Sequence, residues 1–319
     1  MHSVLQIFAI LALLHISPAL GQTLPSNIIG CATIPCPDNE AGDSECTVID
    51  KTFANVGLSR ISVTSQSLIG LSWTEGVSVI DSNDTTNRTF ERAFYLGVPP
   101  NTNLTGTGAC AVFFNQVSKE VVFDNKNVEE AQGTCQEALN PQCVSALVDR
   151  AEKVDVVGLG SSDACAKLEA SFKETVDSAC TVFANGNFWN GLSVKPLTGA
   201  QAAIPITESQ NSTSNCWPIV PKEYDLSLVT SVNTSGDFLI ETASANFFGI
   251  TPILTLFYPG NGTLITSAEA QMTCMKTVGP SATNNATKNG SDKDSGGGSY
   301  GPDVVALVTV LSLSALAVF

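Results

Sequence analysis

The chain has 319 residues, and its 30 acidic residues against 15 basic ones give a formal net charge of −15. So large an acidic excess disfavours nucleic acid and anionic lipid head groups as partners. The two histidines, His2 and His15, both lie in a predicted signal peptide, so the mature chain lacks the residue needed for Ser-His-Asp or Cys-His catalysis and for most zinc and copper sites.

Residues 1–21 have the pattern of a secretory signal peptide. Their apolar run, residues 4–14, is too short to span a bilayer, and the small residues Ala19 and Gly21 suit cleavage before Gln22. We therefore expect the mature protein to begin at Gln22 in an oxidising compartment.

The cysteines predict a disulfide framework. All ten lie between the signal peptide and the C-terminal tail: Cys31, Cys36, Cys46, Cys110, Cys135, Cys143, Cys165, Cys180, Cys216 and Cys274. An even number in a secreted chain favours complete pairing, although the spacing leaves the connectivity open. In the cysteine-containing lead, residues 22–56, the spacing Cys31-x4-Cys36 favours a structural disulfide over a metal ribbon.

Residues 57–126 read as a β-rich first half. Apolar residues alternate with polar ones in three short runs, Ile61 with Val63, Leu71 with Trp73, and Val77 with Val79. This period of two predicts half-buried strands, with Glu75-Gly76 as a hairpin turn. Residues 90–98, 109–114 and 120–124 are predicted as further strands.

Residues 127–184 read as a helical insert. Asn140-Pro141 and Ser161 or Ser162 are helix starts, and apolar residues then recur at helical spacing: Cys143, Leu147 and Val154 in one helix, and Cys165, Leu168, Phe172 and Val176 in the next. We expect Cys135, Cys143, Cys165 and Cys180 to pair among themselves, as Cys143 with Cys180 and Cys135 with Cys165. The insert would then be stapled to itself.

Residues 185–275 read as a β-rich second half. Leu226 with Leu228 and Phe238 with Ile240 alternate, and residues 253–274 predict a hairpin turned at 259–262. The predicted fold class is therefore α+β, a β-rich sandwich-like body with a disulfide-stapled helical insert. Two separate β domains are the alternative.

No motif of a hydrolase, a nucleotide-binding loop or a calcium loop is present. Chemistry that runs on carboxylates alone, above all glycoside hydrolysis, is the remaining enzymatic option. Its candidates are Glu75, Asp81, Glu91 and Glu241, but no pair has a diagnostic spacing. We assign no catalytic, cofactor-binding or metal-binding residue.

Tryptophans are the other candidate binding residues. Trp73 lies in an alternating run and is predicted to be core. Phe188-Trp189 and Trp217 lie in loops, where packing and stacking on a sugar ring are both open.

The C-terminal residues have the order of a glycosylphosphatidylinositol (GPI) attachment signal. Residues 276–303 form a Ser/Thr/Asn/Gly stalk with Asn289, or Ser291 or Ser295, as the attachment site, and 304–319 are an apolar tail that is removed. A retained transmembrane span is the alternative, but the tail is shorter than the about 20 residues that a spanning helix needs.

Eight N-glycosylation sequons lie between the two removed ends: Asn83, Asn87, Asn103, Asn211, Asn233, Asn261, Asn285 and Asn289. A sequon that carries a glycan must be on the surface. Asn289 serves both as a sequon and as the first anchor candidate.

This precursor layout resembles that of fungal GPI-anchored cell-surface and cell-wall glycoproteins. The resemblance implies a place on the extracellular face of the plasma membrane or in the cell wall, held to the outer leaflet by a lipid anchor. It also implies a binding, adhesive or structural role, with wall polysaccharide or another surface protein as partner. The alternative is a carboxylate-based glycosidase or transglycosidase on the same anchor.

Overall fold

A computed structural model describes residues 28–38, 44–80, 88–124, 127–236, 240–260 and 265–279, with the backbone alone for 240–243. Helix is 21% and strand 35%, so the predicted α+β, β-rich class is confirmed. Within these residues no helix is long and apolar enough to cross a membrane. The predicted signal peptide, the apolar tail and the stalk beyond Gly279 lie outside the described residues.

The regular elements of the described residues are ten strands and five α-helices, with two 3-10 helices of three residues each. The strands are β1 (Cys46–Val48), β2 (Lys51–Phe53), β3 (Asn55–Arg60), β4 (Ser72–Ile80), β5 (Arg88–Val98), β6 (Thr107–Phe114), β7 (Leu192–Pro196), β8 (Asp225–Gly236), β9 (Thr251–Pro259) and β10 (Glu269–Met275). The helices are α1 (Cys135–Leu139), α2 (Pro141–Lys153), α3 (Ser161–Glu174), α4 (Glu208–Asn211) and α5 (Ile240–Phe248).

Two four-stranded antiparallel sheets form the body. The front sheet has the strand order β3-β4-β5-β8 and the back sheet the order β10-β9-β6-β7, while β1 and β2 pair as a separate hairpin. Each large sheet combines strands from the first and second β-rich halves. The described strands therefore form one sandwich-like body rather than two separate β domains.

Aromatic side chains join the two sheets face to face. Trp73 of β4 lies edge-on to Phe113 of β6, with ring centroids 5.4 Å apart, and Phe94 of β5 lies 5.2 Å from the same ring. The indole nitrogen of Trp73 donates to the hydroxyl of Thr255 in β9 at 3.0 Å. This bond satisfies the one polar atom of a side chain that is otherwise fully buried.

Strand β6 is buried on both faces. Ala111 and Phe113 point to the front sheet, whereas Cys110 and Phe114 point to the helices, where Phe114 meets Phe172 of α3 with ring centroids 5.8 Å apart. A strand covered on both sides reads as a continuous apolar run, which is how residues 109–114 appear in the sequence. Helices α1, α2 and α3 thus form a third layer behind the back sheet.

Several predicted strands are confirmed. Residues 90–98 lie in β5, residues 109–114 lie in β6, Leu226 and Leu228 lie in β8, and β9 and β10 pair as the predicted antiparallel hairpin. The turn of that hairpin, residues 261–264, lies outside the described residues.

The predicted turn at Glu75-Gly76 is wrong. Both residues lie inside β4, where Gly76 pairs with Ala93 of β5. A Cβ at Gly76 would lie 2.5 Å from the ring carbon Cγ of Phe53, so glycine makes room for an aromatic ring here. The pattern looks like a turn because glycine serves both purposes.

Three other strand predictions are also wrong. Ile61 and Val63 follow the end of β3, and residues 120–124 pair with no strand in the described part of the chain. Val121 and Phe123 are nevertheless buried, so packing without ladder pairing explains the alternation that suggested a strand. Ile240 begins α5, and Phe238 lies outside the described residues.

Both predicted helix starts are confirmed. The Asn140 side chain accepts a hydrogen bond from the backbone nitrogen of Cys143 at 2.8 Å and caps α2, while Ser161 is the first residue of α3. Within the helices the residues predicted to face the core are buried, namely Cys143, Leu147, Cys165, Leu168 and Phe172. Val154 caps the end of α2, and Val176 lies beyond the end of α3.

All ten cysteines are paired, so the prediction of no free thiol is confirmed. The bridges are Cys31–Cys36, Cys46–Cys216, Cys110–Cys165, Cys135–Cys274 and Cys143–Cys180. The predicted Cys143–Cys180 bridge is confirmed, as is the preference for disulfides over a metal ribbon in the N-terminal lead.

The prediction that the four cysteines of the insert pair only among themselves is wrong. Cys165 pairs with Cys110 because β6 turns Cys110 toward the buried face of α3. Cys135 pairs with Cys274 because α1 packs against β10. Two bridges therefore tie the helical layer to the back sheet.

Candidate ligand-binding cavity

A cavity of about 500 Å³ opens at one end of the sandwich. Four parts of the chain enclose it: β5, the C-terminal end of α5, the residue after β10, and a wall segment made of residues 117–124 and 127–131. Its lining includes the apolar residues Val117, Val121, Val122, Phe123, Val128, Ala131, Ala245, Phe248 and Ile250, and the cations Arg92, Lys119 and Lys276.

Arg92 reaches the cavity because it shares the inward face of β5 with Phe90 and Phe94, both fully buried. Its Nε donates to Oε1 of Glu75 at 2.7 Å, and its Nη2 lies 2.5 Å from the same oxygen. The Nη2 group also donates to the backbone oxygen of Gly249 at 2.6 Å. Arg92 therefore fixes the end of α5 to the front sheet.

Glu75 is the buried anion beneath Arg92. It lies in β4, is fully buried, and accepts from Arg92 through Oε1 alone, while Oε2 has no hydrogen-bond partner in the described part of the chain. Burial raises the pKa of Glu75, and the nearby charges of Arg92 and Lys276 act against that rise. In its ionised form this carboxylate offsets the positive charge of Arg92.

Lys276 is the second buried cation, with 1% of its surface exposed. Its Nζ donates to the backbone oxygen of Val128 and lies 5.6 Å from the centroid of the Phe248 ring. Burial lowers the pKa of Lys276 to about 8, although the negative charges of Glu75 and Glu129 oppose this effect. The amine is therefore still largely protonated at neutral pH.

The backbone around Lys276 is held by close packing. A Cβ at Gly57 in β3 would lie 2.0 Å from the backbone oxygen of Lys276, so these two backbone segments can approach this closely only at a glycine. The Cys135–Cys274 bridge lies two residues before Lys276 and joins β10 to the start of α1, which follows the wall segment. The disulfide missed from sequence thus holds two sides of the cavity together.

The sequence did not single out Arg92 or Lys276. A signal was present for Arg92, because a cation between Phe90 and Phe94 in an alternating run must share their buried face. For Lys276 the local pattern indicates only the end of a strand. Its burial depends on Gly57 and Val128, which are distant in sequence.

The candidate carboxylates do not form a catalytic pair among the described side chains. Glu75 pairs across the ladder with Phe94, whereas Glu91 pairs with Ser78, so the two carboxylates lie on opposite faces of the front sheet. Glu91 is also buried and makes a salt bridge with Lys51 at 2.5 Å. Asp81 and the side chain of Glu241 lie outside the described part.

The tryptophans lie in three different layers. Trp73 is core, as predicted. Trp189 packs on Phe114 behind the back sheet with ring centroids 4.7 Å apart, and Trp217 is half-buried outside the front sheet, where its Nε1 donates to the backbone oxygen of Tyr224 at 3.1 Å. These three side chains do not form one stacking surface.

Three sequons fall on described residues. Asn103 and Asn233 are exposed, and Asn211 at the end of α4 is half-exposed. Asn83, Asn87, Asn261, Asn285 and Asn289 lie outside the described residues, as do the anchor candidates Ser291 and Ser295. Glycosylation and anchorage stay predictions.

One cluster of sulfur atoms has the spacing of a metal site. The Sγ atoms of Cys36, Cys46 and Cys216 lie within 4.8 Å of one another, but all three are in disulfides. A disulfide sulfur is not the thiolate that binds a metal. The cluster therefore reads as two packed bridges.

No family model, curated protein or solved structure matches the chain. The function must therefore be inferred from the cavity, its charges and the sequence of the chain ends.

Proposed function

We propose that this protein is a GPI-anchored extracellular glycoprotein whose ectodomain binds a small apolar molecule in the cavity beside β5 and α5. The observation that carries the binding role is the cavity itself, with apolar walls and a few convergent polar groups. Its volume of about 500 Å³ is within the range of small-molecule sites.

The mouth of the cavity supports the same role. Val122 and Val128 are 56% and 48% exposed, and both line the cavity. Exposed apolar side chains at the rim of an apolar cavity favour entry of an apolar ligand.

The surface location rests on the sequence of the two chain ends and on the disulfides. Five bridges suit a secreted protein, because such bonds persist in oxidising compartments. The lipid anchor would join the protein to the outer leaflet of the plasma membrane. Wall polysaccharide or another surface protein is the partner that the layout suggests beyond the cavity.

A cavity-filling substitution tests the binding role. The neutral fluorescent probe N-phenyl-1-naphthylamine should bind the purified protein and gain fluorescence. Ala245 is an exposed residue that lines the cavity. The larger side chain of Ala245→Phe should fill part of the volume that the fluorescent probe needs and weaken probe binding by at least about tenfold.

The matched control is Ala166→Phe, because Ala166 is an exposed alanine of α3 that does not line the cavity. It should leave probe affinity unchanged. No probe binding to the wild-type protein, or equal affinity in Ala245→Phe and wild type, would contradict ligand binding at this site.

A further inference from the structure

The charges around the cavity run against the charge of the protein. Among the described residues that line it, three are cations and none is acidic, although the whole chain has twice as many acidic residues as basic ones. A local reversal of sign in a strongly acidic protein is the pattern of a site that accepts a negative group.

The balance of charge indicates how much negative charge the site accepts. Arg92, Lys119 and Lys276 contribute three positive charges. Glu75 beneath the floor and half-buried Glu129, whose charge acts on Lys276, contribute two negative ones. Counted over the charged residues that line the cavity and the two carboxylates that act on Lys276, one positive charge is left, which matches a monoanion better than a dianionic phosphate.

The two buried cations keep hydrogen-bonding capacity. A guanidinium has five N–H donors and an ammonium has three. The contacts within the described residues use Nε and Nη2 of Arg92 and one direction of the Lys276 ammonium. The remaining donors can bind a carboxylate, and charge-assisted bonds of this kind are stronger than neutral ones.

The walls require the rest of the ligand to be apolar. Val121, Phe123, Phe248 and Ile250 line the cavity together with the cations. A small hydrophilic anion would leave these walls without contacts, whereas a hydrocarbon chain would bury them.

We propose that the cavity binds a hydrocarbon chain that ends in one carboxylate, with the carboxylate at Arg92 and Lys276 and the chain along the apolar walls. The ligand class is a long-chain fatty acid or a lipid-derived acid. This inference rests on the proposed function, since it names the class of apolar ligand for the same cavity.

A matched set of ligands tests the head group without altering the protein. Dodecanoic acid, dodecan-1-ol and dodecyltrimethylammonium share one chain and differ in charge. Each is titrated against bound N-phenyl-1-naphthylamine at pH 7, below the concentration at which it forms micelles. We expect the acid to bind about ten- to a hundredfold more tightly than the alcohol and the cation to bind most weakly.

Variants assign the effect to the named cations. Lys276→Met keeps an unbranched apolar side chain but removes the ammonium, so it should reduce the preference for acid over alcohol to within about threefold. Lys119→Met, at the exposed edge of the cavity, should reduce it less. Lys173→Met, on the exposed face of α3 away from the cavity, should leave it unchanged.

The outcomes separate the two proposals. Equal binding of acid and alcohol by the wild-type protein overturns the acidic head group but leaves apolar binding intact. Failure of all three ligands and the probe overturns the proposed function as well. If Lys276→Met does not fold, the wild-type ligand set and Lys119→Met still decide the result.

Discussion

The ammonium group of Lys276 is buried, and its pKa is lowered by burial and raised by the two nearby carboxylates of Glu75 and Glu129. Burial prevails, so its pKa in the folded protein is about 8, below the ordinary value of about 10.5. Between these two values the unfolded chain binds more protons at this residue than the folded one. Stability should therefore rise with pH in this window, because the cost of a buried ammonium is removed as it deprotonates.

We predict that Lys276 raises the free energy of unfolding by about 2 kcal/mol between pH 8 and pH 10, and that Lys276→Met lacks this increase. Urea unfolding at several pH values measures the difference between the two slopes. Glu75 acts with the opposite sign, since a carboxyl whose folded pKa is raised loses stability as pH rises. Burial also raises the pKa of Tyr95 and Tyr258. Titration of these phenols therefore affects stability mainly above the range of pH 8 to pH 10.

Exposed Lys173 provides the control for the pH series. Lys173→Met should follow the wild-type slope, because the side chain of Lys173 is exposed and its ion pair with Glu169 contributes little to stability. Parallel slopes for wild type and Lys276→Met would show that the Lys276 amine keeps its ordinary pKa in the folded protein.

Single residues also show where sequence patterns stop being informative. Gly76 looked like a turn, yet it is in a strand because Phe53 occupies the space of its missing side chain. Asn140 was read correctly because its capping contact reaches only three residues along the chain. A local contact leaves a local pattern, whereas a contact across the fold does not.

At the scale of elements, the two disulfides missed from sequence join layers that the chain visits far apart. The Cys143–Cys180 loop spans 37 residues, whereas the Cys135–Cys274 loop spans 139. In the chain-entropy account the longer loop restricts the unfolded chain more, by about 1 kcal/mol. The bridge between layers should therefore contribute more to stability than the bridge within the helical segment.

We predict different regional effects for the two double substitutions. Cys143→Ala with Cys180→Ala should cost about 2–4 kcal/mol and speed amide exchange in α2 and residues 178–184, while β6 and α3 stay protected through Cys110–Cys165. Cys135→Ala with Cys274→Ala should instead speed exchange in the wall segment and around Lys276. Hydrogen exchange with peptide-level mass spectrometry distinguishes the two.

Probe binding supplies a second readout for the same variants. Replacing Cys135 and Cys274 by Ala should weaken binding of N-phenyl-1-naphthylamine, because loss of this disulfide loosens two sides of the cavity. Replacing Cys143 and Cys180 by Ala should leave probe binding unchanged. Equal exchange across the whole molecule in either variant would mean that the helical layer and the sheets open as one unit.

The elements themselves were predictable to the extent that one face or one cap determined them. The alternation of β5, the two-sided apolar run of β6 and the cap of α2 all appear in the sequence. Residues 120–124 alternate like a strand and pack in the core, but they pair with no strand within the described ranges. Pairing depends on which neighbour is present, and periodicity alone does not contain that information.

At the scale of the whole molecule, the cavity exists because four distant segments meet at one end of the sandwich. Arg92 and Lys276 come from the front sheet and from the end of the back sheet, and α5 and the wall segment enclose them. No spacing in the sequence brings these cations together. The class of fold could therefore be predicted from periodicity, whereas the candidate site could not.

The placement of the whole protein at a membrane is tested through its anchor. We predict that phosphatidylinositol-specific phospholipase C releases the protein from intact membranes, since the proposed attachment at Asn289, Ser291 or Ser295 leaves only a lipid to hold it. The fraction of protein in the supernatant measures release. Ending the chain before residue 304 provides the matched variant, which should be secreted without a lipid.

Two controls make the result decisive. A surface protein with an established GPI anchor must be released from the same membranes, and nitrous acid, which cleaves such anchors at the glucosamine whether or not the inositol is acylated, must be tried on any resistant fraction. A protein that stays in the pellet after both treatments is held by something other than this anchor. Retention by the apolar tail as a span would then be the better account, and the short tail 304–319 would have to tolerate a mismatch with the bilayer.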